Sequence, residues 1–492
     1  MPQTTSPKVP EGSRVRIRMY RQGIGDCHLL TFYGDDEPRH ILIDCGVLSG
    51  TPGGKDKILR VAQNLKEETG DQLKALVVTH EHWDHVSGFY DARDIFDPLK
   101  IEEIWVAWTE NPSDAVARDL KARNQLRLQA VHMALAQLAN SRDSQLQAYG
   151  QGVSEILGFF GGPAEGAGLI GFSEKTSQAM DLVTKRSPSP TYFKPGELIR
   201  RDWLPGVRLY VLGPPVKKAM LKKLEGKVGT ETYELAGADG AFALALAEAL
   251  ATEDEPVDPG RAERLAATLP FHPSLQWPDE GELVHHPKFG SLFRAYQDKK
   301  LSWRRIDQDW LLSAARLSLQ MDSATNNTSL VLAFEFIETG EVLLFAADAQ
   351  IGSWKSWLPL EWKLGEDPVA KTVSTPDLLQ RTVFYKVGHH GSHNATLKEG
   401  GLEAMTSPKL VAAIPVDQDF ANNSKHWEMP APALYQRLQE QTKGRLLRAD
   451  ATWPGSAEPA PLGLSAQEAQ EWERFVRAVR LDPGGLFIDY FI

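Results

Sequence analysis

The chain has 492 residues, 42% hydrophobic and 24% charged, the balance of a soluble globular protein. It holds only two cysteines, Cys27 and Cys45, too few for a disulfide framework, and no run reaches the roughly 18 uninterrupted apolar residues of a bilayer span. A formal net charge of −11 argues against a surface that grips long duplex nucleic acid by its phosphates.

The opening MPQTTSPKVPEGSR lacks the apolar centre of a secretory signal, so the expectation is a cytoplasmic protein with no membrane partner. From Arg14, RVRIRMYRQGIGDCHLLTFYG and RHILIDCG read as two β-type runs, the first alternating and the second continuously apolar, broken by glycines. KILRVAQNLKEETG (57–70) has helical spacing and a glycine stop; ALVVT (75–79) reads as a buried strand and IEEIWVAW (101–108) as another. That order predicts a layered α/β architecture. Residues 110–182 change character: SDAVARDL opens a long helical pattern with Ser113 as its N-cap, followed by a glycine-rich GFFGGPAEGAGLIGF that reads as a mobile loop.

Strand character returns at VRLYVLGPP (207–215), and a second irregular block, about 215–325, holds helices, Pro-rich joints and several tryptophans. TSLVLAFEF (328–336) and EVLLFAADA (341–349) predict a β-hairpin closed by IETG, while VFYKVGHHGS (383–392) and KLVAAIPV (409–416) are strands ending in loops. The tail reads as a helix from about Ala431, a Pro/Ala/Gly-rich joint (452–463), a helix near 465–480 and a last strand, GLFIDYFI. Strands of one type flank each helical block. The expectation is therefore one elaborated domain, 1–450, with insertions at about 110–190 and 215–325, and 451–492 as a helix–strand extension packed on the core.

Chemistry concentrates just after ALVVT, in His80, His82, Asp84 and His85. Imidazole and carboxylate are the preferred nitrogen and oxygen ligands of zinc, and divalent manganese or iron accept them too. A loop leaving a buried strand lets a rigid scaffold aim several side chains at one point. Histidines two apart on an extended chain point the same way, so His80 and His82 can share one metal, while Asp84 and His85, after the turn, can face a second.

The H-x-H-x-D-H string resembles the first metal motif of the metallo-β-lactamase fold superfamily, and other signatures of that family follow in order. LIDCG is similar to its strand-ending D-x-G, which puts Asp44 behind the metal loop. LLFAADA is similar to the strand ending in a metal-bridging aspartate, here Asp348, and YKVGHHGS to the late histidine motif, with His390 the preferred ligand and His389 the second choice. QGIGDCHLL (with Asp26 and His28), NNTSLVL (with Asn326) and NNSKHWEMPAPALYQRLQEQTKGRLLRAD (with His426) resemble one branch, the soluble domain of the ComEC competence proteins and its free-standing relatives. The likeness spans roughly 14–108, 192–215, 326–350 and 380–450.

The resemblance implies an αββα sandwich with two helical insertions capping a metal cleft, and two divalent metal ions, zinc first, with manganese or iron as alternatives. Asp84 would ligate one metal and orient the attacking water, and Asp348 would bridge. Asp44, Asp26 and His28 would stand behind the ligands; Ser392, His393, Asn326 and His426 would touch substrate or act as general acid, a purely structural role staying equally open for these four. The family's further histidine, between the first motif and the bridging aspartate, has no clear counterpart, because His132, His272, His285 and His286 are the only histidines there. The expected substitute is a residue such as His28 or Asn326, or a more open first metal.

The implied activity is that of a phosphodiesterase or nuclease-like hydrolase acting on a small-molecule or single-stranded phosphodiester. Two alternatives stand beside it: a lactone, thioester or β-lactam hydrolase using the same water, and a regulatory or assembly subunit with a structural metal core. A protein partner or a second copy would then bind through the insertions.

Overall fold

The structure, a computed structural model, describes residues 9–34, 37–139, 144–162, 172–186, 190–221, 280–296, 298, 309–365, 371–451 and 461–492. Much of the 215–325 block, His272, the stretch 163–171 of the glycine-rich loop and most of the joint at 452–463 therefore lie outside the described residues.

Strands that are apolar at nearly every position need cover on both faces. β1 (Val15–Tyr20), β2 (His28–Phe32), β3 (Arg39–Ile43), β4 (Gln72–Val78), β5 (Lys100–Ala107) and β6 (Thr191–Phe193) belong to an eight-stranded sheet. A seven-stranded sheet takes β7 (Leu198–Ile199), β8 (Val207–Gly213), β9 (Val331–Phe336) and β10 (Val342–Phe345), and β11 (Glu361–Leu364) and β12 (Lys371–Ser374) form a separate ribbon. β13 (Thr382–Lys386), β14 (Val411–Ile414) and β15 (Leu446–Arg448) complete the second sheet; β16 (Val479–Leu481) and β17 (Phe487–Phe491) return to the first. The orders are β16-β17-β1-β2-β3-β4-β5-β6 and β15-β14-β13-β10-β9-β8-β7.

Alternate positions of β4 divide between two cores. Ala75 and Val77 enter one shared with Leu209, Leu332, Leu343 and Phe384 of the second sheet. Leu76 and Val78 instead meet Ile58 and Val61 of α1 (Gly54–Thr69) and Val86 of α2 (Trp83–Asp91). On the far side of the second sheet, Trp354 of the helix Ile351–Trp357 packs against Tyr385 of β13. These layers make the αββα sandwich that the resemblance implies. The chain divides into two compact units, Met1–Leu120, Gly158–Ala236 and Asp322–Ile492 forming one and Lys121–Leu157 and Gly237–Met321 the other. The sandwich lies in the first; the second is helical where it is described. Among the described residues no helix is long and apolar enough to cross a membrane.

Two local expectations are corrected. The first β-type run is a pair of antiparallel strands, β1 and β2, because Gly23 and Gly25 take φ of 129° and 145° and let the chain reverse between them. The helix Ala115–Ala139 is capped by Asp114 rather than Ser113: Asp114 Oδ1 accepts from the N–H groups of Val116 and Ala117.

Strand direction fixes where function can sit. β3, β4 and β5 run parallel in one sheet, and β10, β13 and β14 in the other. The turns after β3, β4, β10 and β13 come together at one end of the sandwich, where the Leu330 N–H donates to the Thr79 carbonyl across the sheets at 2.9 Å.

Candidate metal centre

The turn after β4 is held by its neighbours before any ligand is considered. Asp44 directly follows β3, and its carboxylate accepts from the Thr79 N–H (2.8 Å) and the Thr79 hydroxyl (2.7 Å). The Asp26 N–H donates to the Asp84 carbonyl and the Gly46 N–H to the Asp26 carbonyl, both at 3.0 Å. Gln22 ties the Gly25 and Gly46 carbonyls together through Nε2. A Cβ on Gly46 would lie 2.2 Å from the Asp84 carbonyl carbon, so only glycine allows this approach. α2 begins immediately, and its first turn carries Asp84 and His85. Asp44, Ala347, His389 and His390, all next to strand ends, have φ of 55°, 48°, 41° and 51°. Left-handed backbone at residues with a Cβ costs roughly 1–3 kcal/mol each and gathers where function requires it.

Four buried side chains from both sheets then converge. His390 Nε2 is 2.8 Å from Asp84 Oδ2 and 3.5 Å from Asp348 Oδ2; His85 Nε2 is 3.2 Å from Asp348 Oδ2 and 3.7 Å from Asp84 Oδ2. Zinc bonds of about 2.0–2.2 Å in a tetrahedron put ligand atoms roughly 3.3–3.6 Å apart, which these separations bracket. The outer nitrogens are already committed, His85 Nδ1 to Asp44 Oδ2 and His390 Nδ1 to the Pro415 carbonyl, both at 2.8 Å. Among the described residues, Asp84 Oδ1, Asp348 Oδ2 and His85 Nε2 have no hydrogen-bond partner despite full burial. A divalent cation fits that cage.

Asp26 also offers a ligand atom within 4.8 Å of those of His85, Asp348 and His390. Its oxygens, however, stand 3.9 Å from the two outer Nδ1 atoms, and Oδ2 is taken by Lys386 Nζ at 2.5 Å. Asp84 is the better fourth ligand. Lys386, unremarked in the sequence, also reaches Asp348 Oδ1 (3.2 Å) and the Ala347 carbonyl (2.9 Å), and the His389 N–H donates to the same Oδ1 (3.1 Å). Asp348 is thus left with Oδ2 for cations.

A second half-site lies beside the first. His80 Nε2 and His82 Nδ1 face each other at 3.1 Å, again the spacing of two ligands on one ion, while His80 Nδ1 rests 3.1 Å from the Thr79 hydroxyl. Phe160 and Phe159 of the turn Gly158–Phe160 pack on His82 with ring centroids at 4.8 and 5.7 Å, and Phe159 stacks on Trp427 at 5.2 Å. Phe159 and Phe160 belong to a stretch that reads in sequence only as loop.

Electrostatics separate the two sites. Burial alone would lower His85, but Asp348, Asp84, Asp26 and Asp44 outweigh it and hold the metal-free ring well above the usual histidine value. His390 is raised in the same way, against burial, by Asp348 and Asp84. Burial would raise Asp348, but His85, Lys386 and His390 pull it well below the carboxylate range. Without a cation, protons balance this cage, and a divalent ion would displace them. His82 is different: burial pushes it down to about 3, and burial with the neighbouring His85 and His82 pushes His80 well below its usual value. Both are neutral, ready ligands. Asp322 is driven well above the carboxylate range by burial and by Asp84 and Asp348.

The remaining sequence candidates stay outside the four-atom cage, some of them close to it. His28 is buried beside Phe345 with both ring nitrogens unpartnered, and burial pushes it down to about 4. His389 stays out of the four-atom cage: its Nε2 is 3.5 Å from Asn326 Nδ2 and its Nδ1 3.3 Å from Gln350 Nε2. Asn326 lies at the end of the helix Asp309–Asn326, where Nδ2 donates to Asp322 Oδ2 at 3.2 Å. The Ser392 hydroxyl donates to Asn394 Oδ1 (3.1 Å). His426 is exposed with φ 57°, and no hydrogen bond or ion pair of the cage includes it. Cys27 and Cys45 are buried free thiols. Asp322 and Lys386 escaped sequence reasoning because each is a lone charge in an otherwise regular pattern.

Residues 21–136 match the family model described as Metallo-beta-lactamase superfamily, a stretch that contains Asp26, Asp44 and the whole turn from His80 to His85. Comparison with curated proteins finds no match.

Proposed function

We propose that this chain, which carries a metallo-β-lactamase superfamily domain over residues 21–136, is a metal-dependent phosphodiesterase that uses a two-cation centre to turn water on a small or single-stranded substrate. The observation that carries this reading is the buried cage of Asp84, His85, Asp348 and His390, whose unpartnered atoms ask for a cation. His80 and His82 would hold a second, weaker ion. Zinc is the first choice for so many imidazoles, with manganese or iron(II) next. Ions held by these residues would lower the pKa of water toward about 7 and polarise a phosphoryl oxygen.

The protein's own groups do the rest. Asp84 would bind through Oδ2 and keep Oδ1 to accept a proton from the attacking water and orient it. Lys386, kept charged because Asp26 and Asp348 outweigh the cost of burial, fixes Asp348 from behind. Asp44 holds His85 in the tautomer that presents Nε2. The phosphodiester assignment draws on the likeness of QGIGDC and NNTSLVL to ComEC-type domains, and the negative net charge favours a short substrate over a duplex.

One observation favours a second reading. The wall of Phe159, Phe160 and Trp427 beside His82 suits an apolar acyl group, as an ester or thioester hydrolase would need. Purified protein loaded with zinc, manganese or iron(II) should therefore be assayed on bis(4-nitrophenyl) phosphate and on ester, lactone and thioester reporters. Phosphodiester turnover is expected to drop about 100-fold or more in Asp84→Ala and in the His82→Ala/Asp84→Ala double variant. Turnover of the carbon esters alone would move the assignment to the second reading. Undiminished turnover in the double variant would remove both.

A further inference from the structure

We infer that Asp322 is the positioning residue for His82, its side-chain oxygen Oδ1 accepting the Nε2–H of that ring and so turning Nδ1 toward the cation shared with His80. This rests on the two-cation reading above.

A histidine ligand uses one ring nitrogen, and the other is nearly always tied to a carboxylate, carbonyl or hydroxyl, which fixes the tautomer and the ring plane. Three of the four histidines assigned to the two cation sites, His80, His85 and His390, follow that rule with the same polarity. His85 Nδ1 meets Asp44 Oδ2 at 2.8 Å, His390 Nδ1 the Pro415 carbonyl at 2.8 Å, and His80 Nδ1 the Thr79 hydroxyl at 3.1 Å. Each then presents Nε2 inward. His82 is reversed: its Nδ1 faces His80 Nε2, so Nε2 is the outer atom, and it is buried with no hydrogen-bond partner among the described residues.

The missing partner stands opposite. Asp322 lies in the last turn of the helix Asp309–Asn326, is only 6% exposed, and points Oδ1, also without a hydrogen-bond partner, at His82 Nε2 from 3.9 Å. Its other oxygen is anchored by Asn326 Nδ2 at 3.2 Å, so the carboxylate is held from behind while its bare oxygen faces the ring. A shift of about 1 Å closes the gap to a hydrogen bond. Direct ligation is the poorer geometry, since Asp322 approaches the nitrogen on the far side of the ring from His80.

The test uses the full chain. In a crystal structure of zinc-loaded protein, Asp322 Oδ1 should lie about 2.7–3.2 Å from His82 Nε2 and make no bond to zinc. Asp322 bonded to the metal, or turned away from His82, overturns the assignment whatever the zinc count. The same structure with the contact formed but a single zinc per chain would instead remove the two-cation reading. In solution, zinc titration followed by elemental analysis should show Asp322→Ala binding the weaker zinc about 10–100-fold less tightly while the tighter one is unchanged. Asp322→Asn, which retains an acceptor oxygen, should recover most of that loss. An unchanged weaker site in Asp322→Ala, equal losses at both sites, or no recovery in Asp322→Asn would each contradict a positioning role.

Discussion

His40, on β3 and outside the cage, shows how partial burial and a neighbouring cation couple this molecule to pH. It projects from β3 with Nδ1 3.1 Å from the Thr31 hydroxyl, and that same hydroxyl accepts from the Arg16 guanidinium at 3.0 Å. Burial, aided by the positive charge of Arg16, pushes the ring down to about 4 from an ordinary 6.5. Between those values the unfolded chain carries a proton on His40 that the folded chain lacks, so the unfolded state binds more protons and stability rises with pH across the window. Acidification from about 6.5 to 4 therefore removes stability through this residue, and below about 4 the loss is complete. In chelator-treated protein, the stability of His40→Gln relative to the unsubstituted chain should climb as pH falls from about 6.5 to 4, measured by urea unfolding at several pH values. A difference that stays flat would mean that His40 titrates normally in the fold.

At the scale of the element, the turn between β4 and α2 depends on a glycine in another turn. The nearest atoms to a Cβ at Gly46 are the Asp84 carbonyl carbon and oxygen, at 2.2 and 2.4 Å, and the His85 nitrogen at 2.4 Å. All are backbone, so no rotamer change relieves the clash. Gly46→Ala must push the Asp84–His85 turn away and strain the 3.0 Å bonds that link Gly46, Asp26 and Asp84. The expected cost is roughly 2 kcal/mol or more by urea unfolding, together with loss of cage metal by elemental analysis. Gly152→Ala, in the helix Ser144–Leu157 with open space around its Cβ, should cost nothing; equal effects would refute the packing argument.

The same turn shows why part of the site was legible in sequence. His80, His82, Asp84 and His85 sit within six residues after an apolar run, so local pattern suffices to mark them, whereas Asp348 and His390, a few residues past β10 and β13, are marked only by the family resemblance. Asp322, Lys386 and the Phe159–Phe160 pair carry no such local mark; their proximity arises only when the helix Asp309–Asn326, β13 and the turn Gly158–Phe160 reach the end of the sandwich. The layers were legible for the same reason as the motif, since two-faced burial writes continuous apolar runs. The reversal between β1 and β2 was hidden because glycine conformation, not composition, makes it.

Across the whole molecule, the cage is a clasp between sheets. The 2.8 Å approach of His390 Nε2 to Asp84 Oδ2 joins residues 306 apart in the chain, Asp84 following β4 of one sheet and His390 following β13 of the other. An ion held there binds only the assembled sandwich, because the unfolded chain keeps those donors far apart. At a concentration about a thousandfold above its dissociation constant, such an ion adds roughly 4 kcal/mol of stability, a rise in Tm on the order of 4 °C for a chain of this length. The sign of its pH dependence follows from the cage. His85 and His390 are held above the usual histidine value by Asp348 and Asp84, against the effect of burial, so each must release a proton that grows harder to remove as pH falls. Zinc should therefore raise Tm at pH 8, raise it less at pH 6, and give little rise at either pH in His390→Ala. Calorimetric scans with and without chelator provide the measurement. A zinc-induced rise that survives His390→Ala, or that is as large at pH 6 as at pH 8, would show that the ion stabilises the protein from somewhere other than this cage.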